Sequence, residues 1–334
     1  MGLSVIIVNY RSATYVVDCM RSALQFPSSQ EFEWIVVDND SRDNSYNIVM
    51  QEFPFVQWIQ MGYNAGFARA NNKAMQQAKA DVYLLLNADT IVMNDAIGSC
   101  YNKFIQTNHV ACGVQLLFAD GRTQISGSFF MKGGINQLLP LPYWGSVLKA
   151  VAGMLHTKKP SIEVASAEER VEWISGAFLM VKKAAAEKAG MMDEDFFLYS
   201  EEIEWCSRLM KTGDLYIYGD IKMVHLMGEI IKDATSSNDK TYQNLFDKKG
   251  LQLIVSNHVR IRKQYGVAWF LFQLLNYTWA VPVFYICSFI DNLVHLKNPF
   301  KDFAKATALA SNVAKVWGLS RLIVSDKPHF YKMF

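Results

Sequence analysis

The stretch YLLLNADTIVMNDA, residues 83–96, decides how the chain is read. An apolar run suited to a buried strand passes directly into Asn87-Ala88-Asp89-Thr90, so a strand is made to stop at a carboxylate. A charge placed there costs free energy unless something offsets its desolvation. The pattern recurs upstream. Residues 4–9 (SVIIVN) end in Asn9-Tyr10, and residues 34–38 (WIVVD) end in Asp38-Asn39-Asp40-Ser41. Residues 56–59 form another short run, after which Asn64-Ala65-Gly66-Phe67 opens a helical pattern.

Between these runs, residues 16–24, 44–53 and 68–79 carry apolar side chains at helical spacing. Strands alternating with helices imply a parallel sheet covered on both faces, in which ligands collect at the carboxyl ends of the strands. Asn9, Tyr10, Asp38, Asn64, Gly66, Asn87 and Asp89 would all border one crevice. Asp43 and Ser45 are read as turn and cap chemistry only. No G-x-G-x-x-G follows the first run and no G-x-x-x-x-G-K-[ST] occurs, so neither a dinucleotide fold nor a P-loop is expected.

Farther along, residues 110–118 read as a strand and ADGRTQISGS as an exposed turn. Residues 133–167, with Pro140, Pro142 and Pro160, read as a long surface excursion. A strand over 173–181, helices over 183–189 and 201–211 closed by Gly190 and Gly213, and strands over 215–218 and 223–225 complete the globular part. Ser200 is the expected N-cap of the second helix. Glu201 and Glu202 then lie in its first turn, where the helix dipole favours negative charge, with Glu204 and Arg208 paired on its outer face. A carboxylate held ionised there can also act as a general base. Asp89 and His225, each at a strand end, offer the oxygen and nitrogen donors that Mg²⁺ or Mn²⁺ accepts.

The chain has 334 residues, 51% of them hydrophobic, and a net charge of +2, enough to bury a large core. Its five cysteines are an odd set without a C-x-x-C pair, which points away from disulfides and zinc and towards a reducing cytosol. MGLSVIIVNY lacks the features of a signal peptide and reads as a first strand. Charge is uneven: residues 251–334 hold 10 Lys/Arg against 3 Asp/Glu, whereas residues 1–99 hold 6 against 10.

Residues 266–290 contain no charge and reach the length of a membrane span, of roughly 20 residues. Gln273, Asn276, Thr278 and Pro282 interrupt them, and Trp269, Tyr277, Trp279 and Tyr285 suit an interface. Arg260, Arg262 and Lys263 lie before the segment, and Lys297, Lys301 and Lys305 after it. Two readings stand: a helical pair lying in the cytosolic leaflet on anionic lipid, or a helical hairpin buried on the catalytic domain or against a second copy of the chain. Nucleic-acid binding is not expected, because the basic excess coincides with apolar sequence rather than a polar face.

Seven segments in order, SVIIVNY, IVVDNDSRDNS, NAGFARANN, YLLLNADT, WISGAFLMV, DEDFFLYSEEIEWCSRL and VHLMG, resemble the family 2 inverting glycosyltransferases, in particular their rhamnosyltransferase-like branch. The resemblance covers about residues 3–230. It implies an α/β fold of GT-A type, a Rossmann-like mixed sheet flanked by helices, with a catalytic domain over 1–250 and a helical extension over 251–334. It further implies that Asp38 contacts the nucleobase beside Asn9 and Tyr10. Asn87-Ala88-Asp89 stands at the D-x-D position, so Asp89 would bind the Mg²⁺ or Mn²⁺ that bridges the donor diphosphate, with His225 completing the site.

Two departures from the family pattern matter. Asn87 replaces an acid and cannot add charge at the metal, which leaves it a hydrogen-bonding role towards ribose or phosphate. Glu202 occupies the base position with one methylene more than the usual Asp, so the base stays open between Glu201 and Glu202. Trp173 and Gly176 fall in the acceptor and sugar region. The implied donor is a nucleoside-diphosphate sugar, deoxythymidine-diphosphate rhamnose first, and the implied acceptor is a lipid-linked bacterial surface glycan at the inner face of the membrane. A sugar nucleotidyltransferase would show a glycine-rich basic loop where VNYRSATYVVD stands, and a decayed scaffold would lack Asp89, Glu202 or His225.

Overall fold

A computed structural model describes residues 2–156, 159–226 and 244–334. The Met-Gly end of the VHLMG segment lies outside the described residues. The chain divides into two compact units, Met1–Phe129 with Ser161–Phe197 and Glu201–Lys240, and Phe130–Pro160 with Leu198–Ser200 and Thr241–Phe334.

The first unit begins with β1 (Leu3–Asn9), α1 (Ala13–Leu24), α2 (Pro27–Gln30), β2 (Glu33–Asp38), α3 (Ser45–Glu52), β3 (Gln57–Gln60), α4 (Gly66–Gln77), β4 (Val82–Leu86), β5 (Thr90–Val92), α5 (Ala96–Ile105), β6 (Ala111–Leu117) and β7 (Gly127–Ser128). The second unit then contributes a 3₁₀ helix (Lys132–Leu138) and α6 (Trp144–Met154). The first resumes with β8 (Ser161–Ile162), β9 (Glu169–Val171), β10 (Trp173–Ile174), β11 (Phe178–Lys182), α7 (Lys183–Ala189), α8 (Glu201–Leu209) and β12 (Leu215–His225). The second ends with α9 (Lys248–Tyr265), α10 (Val267–Val294) and α11 (Phe303–Ser325).

The main sheet runs β3-β2-β1-β4-β11-β6-β12-β5, with β9 also paired to β12. Its first four strands are parallel, β11 is antiparallel to β4 and β6, and β12 is parallel to β6 but antiparallel to β5. This is the mixed sheet that was expected. Helices cover the strands, so Val5, Ile7, Val36, Leu84 and Met180 are all buried. Covering on both faces explains why these strands read as continuous apolar runs rather than alternating ones.

Four details differ from the sequence reading. The strand expected over 173–181 breaks at Ser175-Gly176-Ala177, where Phe178 N–H donates to the Ser175 carbonyl at 3.3 Å. β10 consequently joins a small sheet with β7 and β8, and β11 joins the main one. Strands expected over 215–218 and 223–225 form one strand, β12, whose pairing with β6 shifts register between Tyr218 and Lys222. The bulge hides in sequence because it interrupts the period-2 pattern without ending the strand. Residues 133–167 are no plain excursion, since they hold the 3₁₀ helix and α6; Pro140 and Pro142 separate the two. β5 and α5 went unanticipated, the first for its shortness. α5 starts at Asp95, a left-handed residue (φ 51°) whose carboxylate accepts from Gly98 N–H at 3.3 Å.

Within the second unit, α10 continues for 28 residues through Pro282, and Gly266 (φ 90°) separates it from α9. Among the described residues α10 alone is long and apolar enough to cross a membrane. It is apolar on both faces: Phe272, Leu275, Trp279, Ile286 and Ile290 are exposed, and Phe270, Leu274, Tyr277 and Phe284 are buried beside Gln273, Ser288 and Asn292. Gln273 donates to the Gly133 and Gly134 carbonyls at 2.8 and 2.9 Å, and Asn292 donates to Asp302 at 3.0 Å. His258 of α9 is buried, and desolvation lowers its pKa to about 4, so it is a neutral ring donating to the Ile254 carbonyl.

Gly66 is required by its surroundings. Its φ is +76°, and a Cβ there would come 2.2 Å from the Phe197 carbonyl oxygen, to which Phe67 N–H donates at 2.9 Å. Gly66→Ala is expected to cost roughly 1–3 kcal/mol, seen as a lower urea midpoint at unchanged slope. An unchanged midpoint would show that the α4 entry relaxes freely.

Candidate active site

The carboxyl ends of β1 and β2 bring Asn9 and Asp38 together, as their parallel register requires. Asp38 is 3% exposed, and its carboxylate is engaged by protein donors on both oxygens. Oδ1 accepts from Asn9 Nδ2 at 2.7 Å and from the Ser41 hydroxyl; Oδ2 accepts from Ser41 N–H at 3.0 Å and Gln60 Nε2 at 2.8 Å. A carboxylate offers about four acceptor sites, so protein groups already offset its desolvation. Burial of Asp38 is therefore not by itself a sign of a ligand, contrary to the sequence argument. One of these donors, Gln60, is exposed and can be displaced.

The neighbouring loop is knitted to the same place. Asn39 accepts from Ala65 N–H at 2.7 Å and donates to Asn64 Oδ1 at 3.1 Å, which fixes Asn64 and Gly66 beside Asp38. Tyr10 lies under the Arg11 guanidinium, 5.4 Å from its ring centroid, and Arg11 N–H donates to the Ser41 hydroxyl at 2.9 Å. Asn87 takes its place through its backbone, N–H to the Ala177 carbonyl at 3.1 Å. Its side-chain amide has no partner among the described residues.

Asp89 and His225, 136 positions apart in the numbering, meet because β5 pairs antiparallel with β12 and sets Thr90 opposite His225. Leu226 N–H donates to the Asp89 carbonyl at 2.8 Å, locking the two ends. Both side chains are buried at 5% exposure, with His225 Nε2 3.4 Å from Asp89 Oδ1 and His225 Nδ1 3.0 Å from Gln124 Oε1. One carboxylate oxygen and one imidazole nitrogen at this separation fit a divalent cation, Mn²⁺ more readily than Mg²⁺. Among the described residues no third His, Cys, Asp or Glu joins them. These two side chains could hold such a cation, whose other ligands would come from elsewhere.

The two glutamates of α8 differ sharply. Glu201 is 3% exposed, and its Oε2 has no hydrogen-bond partner among the described residues. Desolvation, reinforced by the charge of Glu202, holds its carboxyl well above the usual range, so Glu201 is a neutral acid. Glu202 is partly exposed and faces Gly176, where a Cβ would lie 3.5 Å from Glu202 Cγ. Trp173, on β10, buries an indole N–H that has no partner among the described residues.

Ser200 is not the N-cap that was expected. It is left-handed (φ 68°), as is Tyr199 (φ 71°), and its hydroxyl donates to Asn257 at 2.8 Å. The Glu204–Arg208 pair forms, bidentate at 2.8 and 2.7 Å, but Glu204 is buried rather than on an outer face. Arg208 also donates to the Ala189 and Gly190 carbonyls, closing the end of α7. Sequence reasoning missed Arg11, Gln60 and Gln124, and placed Ser41 at the strand end without a role. Ser41 sits in a D-x-x-S turn that signals an acid held by a following hydroxyl and N–H; Gln60 and Gln124 carry no such signal.

Residues 4–143 match the model of glycosyl transferase family 2, and the chain carries a domain of that family. Among curated relatives, the low-salt glycan biosynthesis hexosyltransferase Agl10 of Haloferax volcanii is 27% identical over 215 residues, 63% of this chain and 62% of that one. The N-acetylglucosaminyl-diphospho-decaprenol L-rhamnosyltransferase of Mycobacterium tuberculosis is 24% identical over 231 residues, 65% of this chain and 73% of that one. Of solved structures, mannosyltransferase PcManGT from Pyrobaculum calidifontis in complex with GDP-Man and Mn²⁺ superposes with a TM-score of 0.53 at 14% identity, over 97% of this chain and 83% of that one. The fold is therefore that of the GT-A glycosyltransferases.

A carboxyl whose folded pKa is raised favours folding while protonated, and that contribution is lost as pH rises from the ordinary carboxylate range towards the raised value. Glu201→Gln keeps the shape and removes the titration. Its melting temperature is expected to exceed that of the wild type increasingly as pH rises through neutrality, with the gap closing in acid. A gap that widened in acid would mean Glu201 is ionised in the fold.

Proposed function

We infer that this chain is an inverting glycosyltransferase, moving a sugar from a nucleoside-diphosphate donor to a hydroxyl of a lipid-linked surface glycan. The observation that carries the reading is the buried Asp89–His225 pair at the strand ends of a family 2 domain, with Glu202 on the first turn of α8. Rhamnose is the favoured sugar and a polyprenyl-diphosphate glycan the favoured acceptor, in keeping with the name of the mycobacterial relative.

In this reading the base lies at the ends of β1 and β2. A base N–H takes the place of the Gln60 amide on Asp38, and the Tyr10 ring lies beside it. Asn64 and Gly66 border the ribose, and the unpartnered amide of Asn87 donates to ribose or phosphate. Asp89 and His225 would hold Mg²⁺ or Mn²⁺, which supplies positive charge against the departing diphosphate. Glu202 takes the proton of the acceptor hydroxyl as that oxygen attacks the anomeric carbon from the face opposite the leaving group, which inverts the centre. Glu201, neutral and buried, leaves the base role to Glu202. Trp173 and Gly176 line the sugar and acceptor side.

Residues 1–250 make the catalytic part and 251–334 the anchoring part. The exposed apolar face of α10 and the exposed Lys297, Lys301 and Lys305 support a peripheral seat on an anionic membrane, on its cytoplasmic side. A homodimer through α10 is the competing use of the same face.

A thermal-shift panel of thymidine, uridine and guanosine diphosphates, each with and without Mn²⁺, tests the donor site. One nucleotide is expected to stabilise the chain only with metal, and Asp89→Ala to abolish that increment. Glu202→Gln is expected to keep the shift while cutting turnover by roughly 10²–10⁴-fold. Near-normal turnover of both variants would overturn the assignment. For the membrane, flotation with phosphatidylglycerol vesicles is expected to carry the full chain. Lys297→Glu with Lys301→Glu should weaken flotation, and Trp279→Gln should weaken it even in high salt. A chain that never floats and sediments as a dimer assigns the α10 face to self-association.

A further inference from the structure

Gln124 is a buried amide whose every polar group is committed. The hairpin after β6 turns at Gly121 (φ 82°) and returns with Thr123 bridged to Leu117, which delivers Gln124 between β6 and the end of β12. Its backbone N–H donates to the Leu116 carbonyl at 2.8 Å, and its own carbonyl accepts from Gln115 Nε2 at 2.8 Å and from the Ser126 hydroxyl at 3.1 Å. The side chain is 5% exposed. Nε2 donates to the Leu117 carbonyl at 3.0 Å and to the His225 carbonyl at 2.6 Å, and Oε1 lies 3.0 Å from His225 Nδ1.

This arrangement fixes which end of the amide is which. Turning the amide over would set its oxygen against two carbonyl oxygens and its N–H₂ against a ring nitrogen, losing both donated bonds. Oε1 can only accept, so the proton between it and His225 sits on Nδ1. In the neutral ring so fixed, the Nε2 lone pair faces Asp89 Oδ1, 3.4 Å away. A bare lone pair opposite a buried carboxylate is repulsive unless a positive charge lies with them. The donor set is thus prepared for a cation by a residue that never touches it.

We propose that Gln124 is a positioning residue that holds His225 as its Nδ1–H tautomer, presenting Nε2 together with Asp89 to a divalent cation. The inference rests on the proposed function for the cation, and on the hydrogen bonds alone for the tautomer. Outer partners of metal-bound imidazoles commonly change metal affinity by about 10–100-fold when removed.

Two variants separate positioning from mere packing. Gln124→Leu and Gln124→Glu both remove the N–H₂ that serves the Leu117 and His225 carbonyls, but only Glu keeps an acceptor for Nδ1–H. Long-range ¹H–¹⁵N correlation spectra of the metal-free full chain, with His225 assigned through His225→Gln, report the tautomer directly. The wild type and Gln124→Glu are expected to show Nδ1–H, and Gln124→Leu to lose it. Mn²⁺ alone, titrated by the loss of its free electron paramagnetic resonance signal, is expected to bind Gln124→Leu about 10–100-fold more weakly than wild type and Gln124→Glu no more weakly. An Nε2–H tautomer in the wild type overturns the proposal whether or not either variant folds. Equal Mn²⁺ affinity of Gln124→Leu and wild type overturns it as well. The expected tautomers without Mn²⁺ binding by any form would overturn the cation reading and leave the hold on the imidazole intact.

Discussion

A carboxylate buried at the turn between two strands sets the terms for the rest of this site. Asp89 follows β4, which lies deep in the main sheet, and precedes the three residues of β5, which pair with the end of β12. That pairing carries His225 to within 3.4 Å of Asp89 and is stapled by Leu226 N–H on the Asp89 carbonyl. A buried ionised carboxylate without compensation is costly by several kcal/mol. Asp38, by contrast, is compensated by Asn9, Ser41 and Gln60. Two acids that look alike in the sequence, each ending an apolar run, therefore differ in the partners that the fold gives them. Among the described residues Asp38 is a satisfied acceptor with one displaceable cover, while the side chain facing Asp89 is the His225 imidazole.

The same contrast separates the glutamates of α8. A helix N-terminus favours negative charge by about 0.3–1 kcal/mol, a modest term beside the loss of hydration in a closed environment. Glu201, turned inward with an unpartnered oxygen, yields to desolvation and stays protonated. Glu202 keeps contact with solvent and is not asked to choose. Adjacent positions on a helix point about 100° apart, so one faces the interior when the other faces the cleft. Glu202 lies against Gly176, where a methyl group would sit 3.5 Å from Glu202 Cγ, at ordinary contact distance.

What could be read beforehand follows from how locally each feature is encoded. The alternation of strands and helices up to residue 86, the helix of residues 183–189 and its Gly190 stop, and the first-turn position of Glu201 and Glu202 depend on near neighbours and were legible. Asp89 and His225 were each suspect alone, and only the order of seven motifs joined them, since nothing local encodes an antiparallel pairing across more than a hundred residues. Ser200 shows the opposite failure. Its residue type favours an N-cap, but a left-handed backbone and a buried amide partner claim its hydroxyl. The bulge in β12, the capless 3₁₀ helix and the apolar α6 leave no periodic trace. Gln124 was out of reach because a glutamine in a polar turn looks like any surface residue until the hairpin folds it inward.

The exposed apolar side chains of α10 are a second constraint on the chain, because contiguous apolar surface marks a face that gains from cover. The hidden face of α10 holds Phe270, Leu274, Tyr277, Ala280 and Phe284 together with Gln273, Ser288 and Asn292, and its open face holds Phe272, Leu275, Trp279, Ile286 and Ile290. Burying a large apolar side chain is worth about 1.5–3 kcal/mol, so this face would gain several kcal/mol from any apolar cover. The stripe carries no acid or base between Val267 and Ile290, and the first basic side chains beyond it, Lys297, Lys301 and Lys305, are all exposed. In the proposed reading, uncharged apolar surface with lysines beyond Asp291 suits hydrocarbon bordered by anionic headgroups. A second copy of the same stripe would match the apolar part alone and would bring like charges together at any contact that aligned the lysines.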